Sequence, residues 1–219
     1  MSCIGKNRAI FSYKCANREK SNFMYKDFEK SESYRSNFSE CNFNYATLRA
    51  AKFKFCNFDN ATFSGTEFIG TNLRGSTFRN AIFEDTIFNS TQLDKTNFYG
   101  ATFKNVYFLC SNINIAKNLN ADSNNITILT KMPDIKDFTS ELLDIVEKLR
   151  NNDIIRRSKV LHLKNKRINT LSLSMLKSDF TEEMLIKALP LLASKITLQF
   201  HTLSYLKKQL IRLVENGII

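Results

Sequence analysis

Residues 56–75 read CNFDN-ATFSG-TEFIG-TNLRG, four blocks of five with a large apolar residue at the centre of each: Phe58, Phe63, Phe68 and Leu73. Stepping by five from Phe23 gives Phe23, Phe28, Ser33, Phe38, Phe43, Leu48, Phe53, Phe58, Phe63, Phe68, Leu73, Phe78, Phe83, Phe88, Leu93, Phe98, Phe103, Phe108 and Ile113. Only Ser33 breaks the apolar rule, and 14 of the chain's 19 phenylalanines fall on this class. Two positions earlier runs a second class, from Ser21 to Ser111. Apart from Lys26 and Val106, it holds only Ala, Ser, Thr or Cys. The position between them favours Asn or Asp, as in Asn22, Asp27, Asn57 and Asn97.

A period of five suits neither an α-helix nor an ordinary strand. It requires a chain that turns a corner every five residues, with a large and a small side chain inside and the last two residues of each block facing solvent. Stacked coils then bury a continuous column of rings. The small residue is small because the neighbouring ring fills the interior.

The blocks ATFSG, TNLRG, TNFYG and ATFKN resemble the pentapeptide-repeat family. That resemblance implies a right-handed quadrilateral β-helix with four pentapeptides per coil and about five coils, a rod of about 23 Å at the usual strand spacing. The organisation expected is an N-terminal cap or flexible segment over 1–20, the β-helix over 21–118, a linker over 119–132 and a mainly α-helical domain over 133–219. Tyr13 is in register with the repeat but Arg18 is not. Past Ile113 the period fades through AKNLNADSNNITILTKMP, where Ile126, Ile128 and Leu129 are placed to pack on the last coil.

Beyond Pro133 the spacing becomes helical. Phe138, Leu142, Ile145, Val146 and Leu149 predict one helix stopping at Asn151-Asn152. Residues 153–176 read as further helix or a short hairpin. Asp179 with Glu182 predicts a capped helix start, which Pro190 should kink or end. Leu203, Leu206, Leu210 and Leu213 mark a last helix ending near Gly217. These helices suit a small domain of their own; docking on the end of the β-helix, or on a second copy of the chain as a homodimer, stays open.

Net charge is +11 and uneven: +4 over 1–20, +1 over 21–115 and +6 over 116–219. Such a balance favours acidic partners or serves solubility alone. The basic N-terminus lacks the apolar region of a secretory signal, and no run is long enough to span a membrane. The expected location is the bacterial cytoplasm, or a host cell if the protein is translocated.

Five cysteines without CxxC or metal-ligand spacing argue against a disulfide scaffold or zinc site. Cys41 and Cys56 occupy small inward positions and read as fillers; Cys3 and Cys15 lie in the N-terminal segment. His162 and His201 are the only histidines, and neither lies beside a Cys or carboxylate motif. No catalytic residue, cofactor or metal is expected, and the chain reads as a non-enzyme.

On the family geometry, positions twenty apart share a face. Arg35, Lys54, Arg74 and Lys95 then form a basic ladder with Tyr34 and Phe55 beside it, the expected partner-binding residues. The leading expectation is a protein–protein interaction module or scaffold. The polar N-terminus, composition and helical extension are similar to pentapeptide-repeat effectors that Gram-negative pathogens inject. Some bacterial HECT-like ubiquitin ligases also place such a β-helix before helical lobes, but no cysteine follows Cys110 to act as their catalytic thiol. Two alternatives remain. One is a DNA gyrase (topoisomerase) protection protein, against which the near-neutral rod counts, since a DNA mimic should be acidic. The other is nucleic-acid binding through the basic ends, weakened by the inward direction of most aromatics.

Overall fold

The computed structural model describes residues 11–120 and 125–217, in two compact units divided between Thr130 and Lys131. The expectations placed on residues 1–10, Cys3 among them, lie outside the described residues.

The first unit is a β-solenoid of about 6 turns. Its short strands are β1 (Ser12–Lys14), β2 (Glu32–Tyr34), β3 (Lys52–Lys54), β4 (Glu67–Ile69), β5 (Ile82–Glu84), β6 (Ile87–Asn89), β7 (Thr102–Lys104), β8 (Val106–Leu109) and β9 (Ile126–Leu129). They form parallel ladders β1-β2-β3, β4-β6-β8-β9 and β5-β7. Each pairs residues twenty apart, such as Ser33 with Phe53 and Phe68 with Phe88.

The corners explain the period. Every fifth residue from Cys15 to Cys110 has positive φ, between +48° and +72°. Glycine occupies four of these corners (Gly65, Gly70, Gly75, Gly100), but most hold side chains that ordinarily avoid the left-handed region. The coil stacking over-determines them: corner amides are spent on the next coil, as when the N–H of Ala50 donates to the carbonyl of Ile69 at 2.7 Å and that of Phe55 to Arg74 at 2.9 Å.

Inside, rings stack in columns. Phe38, Phe58, Phe78 and Phe98 lie nearly parallel with centroids 5.2, 4.9 and 5.1 Å apart. Phe68, Phe88 and Phe108 stack at 4.6 Å. Most of the small inward hydroxyls are satisfied by reaching into the preceding coil. Thr66 Oγ1 donates to the carbonyl of Phe43, Thr71 to Leu48 and Ser76 to Phe53, all within 2.8 Å. A buried hydroxyl needs such a partner, so Thr and Ser suit these slots as well as Ala does. Ser33 is the exception at the central position: it is buried, and neither its hydroxyl nor that of Ser31 has a partner. Phe103 is only partly buried, its ring stacked on Phe83.

Three expectations about the flanks are corrected. Residues 11–20 are a working coil, not a cap: β1 pairs with β2, and Phe11 and Tyr13 pack against the core. Arg18 keeps the backbone register, donating its N–H to Asn37 O at 2.8 Å, while its guanidinium lies 4.8 Å over the Tyr13 ring. A cation is tolerated at this central slot because it is exposed in the outermost described coil. The stretch read as a linker over 119–132 contains β9, which extends the β8 ladder. With both additions the solenoid has about 6 turns instead of five.

The second unit contains α1 (Ser140–Lys148), α2 (Asp153–Ser158), α3 (Thr170–Lys177), α4 (Glu182–Lys195) and α5 (Leu203–Glu215). Thr139 caps α1, and Asn152 both ends the preceding turn and caps α2 by accepting from the amides of Ile154 and Ile155. Residues 153–176 hold both alternatives: helices α2 and α3 flank a bridge between His162 and Ile168. Asn165 and Lys166, both at positive φ, make the tight turn between its strands.

Two details of α4 differ from expectation. Its cap is Thr181, which accepts from Met184 N, instead of Asp179; Asp179 pairs with Lys207 at 2.8 Å. Pro190 sits inside α4 without ending it. Pro190 is exposed, and buried Leu185, Ala188, Leu189 and Leu192 hold the helix on both sides of it.

Candidate functional site

The solenoid side carrying β1, β2 and β3 presents two outward columns. One runs Lys14, Tyr34, Lys54, Arg74, Asp94; the other, at the corners, runs Cys15, Arg35, Phe55, Gly75, Lys95. The register is explicit: Lys14 pairs with Tyr34 and Tyr34 with Lys54. The amides of Arg35, Phe55 and Gly75 donate to the carbonyls of Lys54, Arg74 and Asp94 at 3.1, 2.9 and 2.8 Å. The structure therefore brings Tyr34, Arg35, Lys54, Phe55, Arg74 and Lys95 onto one face.

Aromatic contacts order its centre. The Arg35 guanidinium lies 5.2 Å from the Tyr34 ring centroid, a cation–π contact. Tyr34 meets Phe55 edge-on at 5.6 Å, and Phe55 remains 45% exposed. Phe55 in turn lies against Gly75, where a side-chain carbon would come within 2.5 Å of the ring.

A groove of about 310 Å³ lies beside the Lys14-Tyr34-Lys54 column, lined by these three with Glu32 and Lys52 of the same strands. Lys52 is engaged by Glu32 at 2.8 Å. That hydrogen bond and charge, with Lys54 adding to it, hold the Glu32 carboxyl below its usual pKa. Glu32 and Asp94 are the only acids among the strand and corner positions of this face. Lys14 is a further member of the ladder; the sequence pattern does not single it out because the segment before residue 21 reads as a cap, although Tyr13 is in register.

The family model for pentapeptide repeats (8 copies) matches residues 36–75 and 66–105. The solenoid is a pentapeptide-repeat domain. Several similar solved structures are pentapeptide-repeat proteins too. HetL, involved in heterocyst differentiation regulation in the cyanobacterium Nostoc, is 10% identical, with 45% of this chain and 46% of that chain covered and a TM-score of 0.39. This chain thus spans about half the length of HetL. A thylakoid-lumen protein of Arabidopsis thaliana is 18% identical over 43% of this chain and 63% of that one, TM-score 0.34. QnrB1, a plasmid-mediated fluoroquinolone resistance protein, is 15% identical over 57% and 86%, TM-score 0.26. Comparison with curated proteins finds no match.

The remaining chemistry of the pentapeptide-repeat domain is structural. Cys41 and Cys56 are buried, and burial pushes both thiols up to about 11, which leaves them protonated and unreactive. Cys15 and Cys110 are exposed.

In the helical unit His162 is buried, with Nε2 donating to the Val146 carbonyl at 2.8 Å. Its Nδ1 has no partner. Burial depresses its pKa, and nearby Arg150 adds to the effect. An open cleft of about 630 Å³ beside it mixes Leu143, Leu163 and Ile168 with Asp144, Glu147, Lys166 and Arg167. Among the described residues no group of three or more His, Cys, Asp or Glu is placed to hold a metal ion, and no helix is long and apolar enough to cross a membrane.

Proposed function

We propose that this protein is a non-catalytic protein–protein interaction module whose basic, aromatic solenoid face contacts an acidic partner. The observation that carries the reading is the in-register row Arg35, Lys54, Arg74 and Lys95 on a rigid ladder, next to a partly exposed aromatic pair. Preset cations on a stiff scaffold steer and orient an acidic partner at low entropic cost. The alternative of gyrase protection through DNA mimicry is disfavoured by these same cations, since mimicry calls for the opposite sign.

The test is affinity capture on the immobilised full chain from nuclease-treated and untreated lysates, read by mass spectrometry. A discrete protein retained after nuclease, and lost when Arg35, Lys54, Arg74 and Lys95 are all changed to Glu, is the expected result. Retention that vanishes with nuclease, or that ignores the charge reversal, overturns the reading. The resemblance to injected effectors extends the proposal to a partner in a host cell, which a reporter fusion scored in host cytosol tests directly.

A further inference from the structure

The basic face repeats at a fixed length. Lys14, Arg35, Lys54, Arg74 and Lys95 supply one cation in each of five successive coils. Parallel strands stack about 4.8 Å apart, so charge recurs along the rod at that interval. A ligand lying along the rod has to present anions at nearly the same interval to use all of them.

An α-helix with one carboxylate per turn advances about 5.4 Å each time. Over four steps it drifts from the ladder by about 2.4 Å, within the swing of a lysine or arginine side chain. An extended peptide shows every second side chain about 6.7 Å apart and drifts by about 7.6 Å over the same distance, leaving its outer charges unpaired. The face also has an apolar centre. Tyr34 and the 45% exposed Phe55 stand between Arg35 and Arg74, with Lys54 alongside. A helix buries an apolar side chain there while its acidic stripe follows the cations. Asp94, beside Lys95, is a repulsive mark near one end of the ladder that sets which way an asymmetric stripe can lie.

Resting on the reading of this face as an acidic-partner surface, we propose that the partner presents to it an amphipathic α-helix. That helix carries one carboxylate per turn and an apolar residue for the Tyr34–Phe55 spot.

The experiment measures anisotropy of labelled synthetic peptides with the full chain. One peptide of about 18 residues, enough for five turns, has a stapled helix and Glu at alternating three- and four-residue spacing. A second has the same length and the same number of Glu residues, placed at every other position, with interspersed prolines that keep it extended. A single-stranded oligonucleotide of similar charge is the third probe. The helical peptide should bind about tenfold tighter than the extended one. Phe55→Ala should weaken only the helical peptide, and the Lys54→Glu, Arg74→Glu variant should weaken both. Equal or tighter binding of the extended peptide, lost on charge reversal, overturns the helical inference and leaves the acidic-partner reading standing. Tightest binding by the oligonucleotide, or binding of none of the three, overturns both.

Discussion

The ring of Phe55 occupies the space in which Gly75, one coil further along, would carry a side chain. Both are corner residues in the left-handed region, so the bulky side chain of one depends on the bareness of the other. Gly75→Ala should cost about 1–2 kcal/mol from backbone strain, plus the displacement of Phe55. Gly70→Ala has φ +61° and nothing within 4 Å of the added carbon, so it should show the backbone cost alone. Thermal unfolding of both, and of Gly75→Ala with Phe55→Ala, separates the collision from the strain; equal costs for the two glycine variants would refute the contact.

Ser33 is where the apolar column is interrupted, and its buried hydroxyl lacks a partner. Ser33→Ala removes an unsatisfied polar group at almost no change in volume, and should stabilise the solenoid by about 1 kcal/mol. The same change at Ser76, whose hydroxyl donates to Phe53 O and accepts from Cys56 N, should destabilise by a similar amount. Denaturant midpoints at constant m-value report both signs.

His162 makes the helical unit sensitive to mild acid. Its pKa in the folded chain lies below the ordinary 6.5, so the unfolded state binds more protons as pH falls. Its contribution to stability is complete above 6.5 and is lost as pH drops through the depressed folded value. Protonation would put a hydrogen on Nδ1, which has no acceptor. Glu147 and Glu182, held below their ordinary 4.5 first by hydrogen bonds from Arg150 and Lys177 respectively, add their losses only in stronger acid. The melting temperature should therefore fall between pH 7 and pH 5 in the native chain and much less in His162→Gln; parallel declines in both would rule this out.

Thiol labelling should follow burial. A maleimide at neutral pH should modify Cys15 and Cys110 in the folded chain and reach Cys41 and Cys56 only after denaturation. Peptide mapping of the labelled sites decides it. Labelling of Cys56 as fast as Cys15 would contradict the packed interior.

Much of the solenoid was legible because its period is short and its chemistry extreme: a ring every fifth residue admits one placement of the core. The flanks were less legible because the signal was carried by backbone pairing instead of side-chain type. Arg18 keeps its coil through an amide bond to Asn37, which no apolar pattern reveals. β9 lies beyond a stretch where the five-residue rhythm fades. In the helical unit, Thr181 and Asp179 are both acceptable caps, and only the fold selects between them. The basic ladder could be named from spacing alone, but Lys14 needed the extra coil, and the seating of Phe55 on Gly75 needed the corner geometry.

The left-handed corner at every fifth residue gives the rod an arithmetic of its own. Adding or deleting twenty residues would change its length and leave each face where it was. Adding five would preserve the core and rotate everything downstream by a quarter turn, carrying Arg74 and Lys95 onto the next side and splitting the ladder in two. Adding one would throw every later ring out of phase. Insertions in this protein are therefore graded by remainder, and the surface can be re-addressed without touching a single buried side chain.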